Sequence, residues 1–70
     1  MMEHLLKWDM GKGGVLNALG VRDGKKRVMY EIYPPGQWRP EWLAFRDEEQ
    51  IGKGELIPML ELCEETERKE

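Results

Sequence analysis

Residues 3–10 alternate. His4, Leu6, Trp8 and Met10 fall on one side and Glu3, Lys7 and Asp9 on the other, with Leu5 the single break. A period of two predicts a half-buried strand. Residues 15–21 are almost wholly apolar, with Asn17 the one polar position between Val15 and Leu19, so they fit a strand or a single helical turn. We take the strand. Across residues 26–33, Val28, Tyr30 and Ile32 share one face and Met29, Glu31 and Tyr33 the other, whose charged member marks it as the solvent side. Residues 42–46 read as a fourth strand, with Leu43 and Phe45 expected toward the core and Trp42, Ala44 and Arg46 outward.

The segments between these runs are built from turn residues. Gly11, Lys12, Gly13 and Gly14 predict a hairpin turn in which glycines supply positive φ. Asp23-Gly24 is the strongest short-range hairpin signal in the chain. Pro34, Pro35, Gly36 and Pro40 cannot continue a strand ladder and predict a loop over residues 34–40. Asp47 and Gln50 stand three apart like a capping box and predict a short turn, interrupted at Gly52 and Gly54.

A helix follows over about residues 55–69. Pro58 falls in its first turn, where a missing N–H does no harm, and Leu56, Met59, Leu60 and Cys63 recur at helical spacing. Glu64 with Arg68 and Glu65 with Lys69 form i,i+4 pairs in the favourable order. The expected fold class is therefore α+β, one domain over residues 1–70, with a four-stranded antiparallel meander sheet over residues 3–46 followed by a C-terminal helix.

At 70 residues such a domain buries only about 60% of the surface its unfolded chain exposes, so its stability alone is expected to be marginal. The apolar helix surface, Leu56, Ile57, Met59, Leu60 and Cys63, exceeds what one four-stranded sheet should cover. It predicts a homodimer through the helices. No apolar run approaches the roughly 20 residues of a membrane span, and the start lacks the basic and apolar regions of a signal peptide, so a cytoplasmic protein without membrane association is expected.

Candidate catalytic chemistry is sparse. The glycine-rich run lacks the Ser or Thr that a Walker-type phosphate loop requires after its Gly-Lys step, and Leu16 stands where a dinucleotide fingerprint needs its third glycine. The chain has no serine, and its single cysteine, Cys63, lies on the apolar helix stripe. His4 is the only histidine, too little with one cysteine for a zinc site. We expect neither an enzyme nor a metal or cofactor.

Charge supplies a different lead. The net charge of −3 divides unevenly: through Arg46 eight basic residues face five acids, a balance of +3, whereas from Asp47 onward nine acids face three bases, a balance of −6. Such asymmetry separates an anion-binding surface from a face that must not bind. Tyr30, Tyr33, Trp38, Arg39, Trp42 and Arg46 interleave rings with cations, the inventory used to stack unpaired bases while tracking phosphates.

The run "VLNALGVRDGKKRVMYEIY", a Pro/Gly loop containing "WRP", the segment "LAFRDEEQ" and the terminal helix together resemble the positive-cofactor-4-like transcriptional coactivators. That resemblance implies a four-stranded sheet followed by a helix, dimerisation through the helices and single-stranded DNA held across the sheet. Carried over by position, Arg22, Lys25, Lys26, Arg27 and Arg39 would be phosphate contacts and Trp38 a stacking residue. "PEW" replaces the family's Gly-Lys-Gly step before the last strand.

The sequence thus leads to a dimeric, non-enzymatic single-stranded DNA- or RNA-binding protein, a transcription or replication accessory factor, contacted through Arg22, Lys25, Lys26, Arg27, Tyr33, Trp38, Arg39, Trp42 and Arg46. The alternative is a protein-interaction module, a small regulator or inhibitor that uses exposed tryptophans and the acidic helix.

Overall fold

The computed structural model describes residues 5–22 and 26–69, excepting the side chains of Val21, Arg22 and Lys26. Glu3, His4, the Asp23-Gly24 turn and Lys25 lie outside the described residues. The architecture is α+β: a five-stranded antiparallel sheet in simple meander order, β1 (Asp9–Met10), β2 (Leu16–Arg22), β3 (Lys26–Tyr33), β4 (Trp42–Arg46) and β5 (Glu49–Gly54), followed by α1 (Leu56–Lys69).

Within the described part of the expected strand, residues 5–10, only Asp9 and Met10 join the sheet, paired with Asn17 and Leu16. The cause is Glu64 on α1. Its carboxylate accepts the N–H groups of Leu5 and Leu6 at 2.9 and 2.8 Å, drawing this segment off the sheet plane and toward the helix. Leu6 is buried and Trp8 packs on the core, but Met10 is exposed. Gly13 and Gly14 take positive φ in the tight turn that follows, as expected of them, and the β2 strand forms.

β2 and β3 pair along seven residues, from Leu16 opposite Ile32 to Arg22 opposite Lys26. Val28, Tyr30 and Ile32 are fully buried beneath α1, in agreement with the alternation. β4 is inverted relative to expectation. Arg46 pairs with Tyr30 and Ala44 with Ile32, so Trp42, Ala44 and Arg46 take the helix side, while Leu43 and Phe45 lie opposite Tyr33 and Glu31 on the other face. Hydrophobicity alone misassigned the strand because its small inward residue, Ala44, leaves room for the helix, and its large apolar residues sit outside.

The fifth strand replaces the expected capped turn. Asp47 and Glu48 both adopt positive φ, +51° and +70°, forming a two-residue turn that sends the chain back along β4. A register shift beside Ala44 and Phe45 accommodates Ile51, and Gly52 lets Leu62 and Met59 approach the strand closely. The sheet therefore runs to Gly54, beyond the expected limit at residue 46.

The helix spans the expected residues, but its charges pair differently. Glu65 bridges Arg68 at 3.1 Å in an i,i+3 pair, and Glu64 serves the N-terminal segment. Met59 and Cys63, expected in a dimer interface, are buried in the chain's own core with Leu6, Ala18, Val28, Tyr30, Ile32 and Ala44. One sheet covers more of the helix than four strands would, because β5 lies under its first two turns.

Candidate interaction surface

The sheet has two unlike faces. On the helix side, a polar trio sits at the edge of the core: Arg46 donates from Nε to the Tyr30 hydroxyl at 3.2 Å, which donates to Glu67 at 3.0 Å. The Arg46 guanidinium also lies 5.9 Å from the Tyr30 ring centre. Burial, foremost among several causes, raises the Tyr30 phenol above its ordinary pKa. Gly20 makes this arrangement possible, since a Cβ there would collide with the Glu67 carboxylate and the Tyr30 ring.

Among the described residues, no helix covers the opposite, outer face. Leu19 and Met29 stand side by side across β2 and β3, exposed by 48% and 39%, and Tyr33, exposed by 38%, stands beside Leu43 across β3 and β4. Tyr33 and Phe45 meet edge to face with ring centres 5.3 Å apart. Around them a shallow depression of about 270 Å³ is lined by Glu31, Tyr33, Arg39, Leu43, Phe45 and Glu48. Arg39 belongs to its wall: its Nη2 donates to the Pro34 carbonyl at 3.0 Å and its Nε to the Glu41 carbonyl at 3.1 Å, fixing the proline loop.

The residues expected to form a nucleic-acid surface divide among these places. Tyr33 and Arg27 lie on the outer face and Arg39 at its rim. Trp38, at the tip of the turn closed by Gly36 and Arg39, is 91% exposed. Trp42 and Arg46 are turned to the helix side, so they do not join the outer set. The backbones of Arg22 and Lys26 stand at the far end of the β2–β3 pair. Sequence reasoning missed Leu43, Phe45 and Glu48; the signal for them was Asp47-Glu48 as a turn, which sets the register of β4.

Cys63 is buried, and its thiol is pushed up to about 11 by burial and by the neighbouring charge of Glu64. Among the described residues no group of three or more His, Cys, Asp or Glu is placed to hold a metal ion. Among them, too, no helix is long and apolar enough to cross a membrane. Comparison with protein-family models, curated proteins and solved structures gives no match for this chain.

Proposed function

We propose that the protein is a protein-interaction module whose working surface is the outer face of the sheet. One observation carries this reading: Leu19, Met29, Tyr33, Leu43 and Phe45 form an apolar band across three adjacent strands with the carboxylate of Glu31 among them. Contiguous exposed apolar surface of this kind marks docking sites on small domains. A carboxylate at the centre of the band opposes phosphate and favours a protein ligand.

A second reading, single-stranded nucleic-acid binding, draws on the nearly complete exposure of Trp38 and on the basic residues Arg22, Lys26 and Arg27 at one end of β2 and β3. The resemblance to the positive-cofactor-4-like coactivators agrees with it. Two of its expected contacts, Trp42 and Arg46, face the helix, which weakens it.

The deciding experiment compares wild type, Met29→Asp on the outer face and Ile57→Asp on the exposed helix surface. Protein association by cross-linking should fail in Met29→Asp alone, and fluorescent single-stranded DNA and RNA should not bind at low salt. Salt-sensitive oligonucleotide binding that is indifferent to Met29→Asp would transfer the assignment to the second reading.

A further inference from the structure

We infer that the occupant of the outer face is a second copy of this chain, docked face to face so that Arg27 of each copy reaches Glu31 of the other. This rests on the outer face being a protein-docking surface. Arg27, Met29 and Glu31 occupy alternate positions of β3 and therefore project from the same face. Each charged residue lies about 7 Å from Met29, one to either side, at the usual strand rise.

The symmetry follows from that spacing. A two-fold axis lying across the strands at Met29 stacks β3 antiparallel on its partner, placing Arg27 over the partner's Glu31 and Glu31 over the partner's Arg27. Met29 then meets the partner's Met29 on the axis, with Leu19 beside it. Such an isologous contact needs surface features complementary to themselves, and Arg27 and Glu31, evenly placed about Met29, supply them. Stacking the strands parallel would set Arg27 on the partner's Arg27.

The ends of the face reinforce the choice. Arg27 marks one end of the outer face, whereas Glu31, Glu48 and the Tyr33–Phe45 ring pair mark the other. Antiparallel stacking brings each Arg27 onto the other copy's aromatic and acidic depression, where a guanidinium gains both a carboxylate and ring faces. Arg39 in that depression is committed to the Pro34 and Glu41 carbonyls, and Lys53 stands one strand further, on the edge. The expected helix-to-helix dimer has no comparable set, since Met59 and Cys63 are internal. With one charged pair made twice around a small apolar centre, the dimer should dissociate in the micromolar range or weaker.

Sedimentation equilibrium on the full chain tests this through a charge swap. Wild type should dimerise reversibly, Arg27→Glu and Glu31→Arg should each raise the dissociation constant by about tenfold or more, and the doubly swapped variant should recover to within about threefold of wild type. Should a single variant unfold by circular dichroism, Arg27→Gln and Glu31→Gln read the same contact. A wild type that stays monomeric to millimolar concentration, or a double swap without recovery, overturns the inference. Monomeric wild type whose binding to other proteins is still abolished by Met29→Asp would overturn the second copy while leaving the docking surface standing. A dimer broken by Ile57→Asp and untouched by Met29→Asp would overturn both.

Discussion

Asp47 grips the backbone of Met29 twice: its amide donates to the Met29 carbonyl at 2.8 Å, and its carboxylate accepts the Met29 N–H at 3.0 Å. The β4–β5 turn is thereby fastened to the middle of β3, beneath the centre of the outer face. Both turn residues sit at positive φ, a conformation Asp tolerates and Glu does not favour. Asp47→Ala should lose about 1–2 kcal/mol of stability, and Glu48→Gly should gain up to about 1 kcal/mol, in urea denaturation. A destabilised Glu48→Gly would show that the turn is held by contacts of the Glu48 side chain instead.

Gly20 is required by what lies over it. The Glu67 carboxylate and Tyr30 ring occupy the space of a Cβ, so Gly20→Ala should cost about 1–3 kcal/mol by pushing the Tyr30 ring and the Glu67 side chain out of their contact. Tyr30→Phe should cost about 1 kcal/mol by leaving Arg46 and Glu67 without the hydroxyl between them. Thermal melts check both, and a fully tolerated Gly20→Ala would contradict the packing described.

Glu64 ties the N-terminal segment to the helix through two consecutive amides. Glu64→Ala should free it. Hydrogen exchange at Leu5 and Leu6 should accelerate strongly while exchange in β3 slows or quickens only with global stability, a loss of about 1–3 kcal/mol. Unchanged exchange at these two amides would refute the clamp.

Cys63 predicts a fall in stability at alkaline pH. Its thiol ionises near 9 in the unfolded chain and at about 11 in the fold, chiefly because burial penalises the thiolate. The raised folded value means that its contribution is fully present below pH 9 and is lost as pH rises toward 11, because the unfolded chain releases its proton first. Cys63→Ala should flatten that part of the stability profile, apart from a pH-independent packing loss. An identical alkaline slope in the variant would assign it to other groups, Tyr30 first among them.

Much of the fold was legible because local patterns and tertiary packing agreed. Val28, Tyr30 and Ile32 alternate cleanly, the glycines at 13 and 14 sit where positive φ is needed, and Pro58 opens the helix. The fifth strand was hidden. Its turn uses Asp-Glu where Asn-Gly would announce a hairpin, and its interior holds Gly52 and Lys53, residues that strands disfavour. Missing that turn also reversed β4, since the face of Leu43 and Phe45 depends on the register set by Asp47. The short first strand was equally unreadable, because a carboxylate 58 residues away on α1 takes the Leu6 amide out of the ladder. The outer band is half visible in the alternation: Met29, Glu31 and Tyr33 read as solvent-facing, whereas Leu43 and Phe45 on β4 read as core.

The most direct measurement is a map of backbone amide chemical shifts for the wild-type chain as it is diluted from millimolar to micromolar concentration. If the outer face is the working surface and a second copy its occupant, the concentration-dependent shifts will cluster on Leu19, Arg27, Met29, Glu31, Tyr33 and Phe45 and leave α1 unmoved. Shifts confined to Ile57, Glu61 and Glu65 on the exposed side of α1, with the sheet silent, would contradict the account.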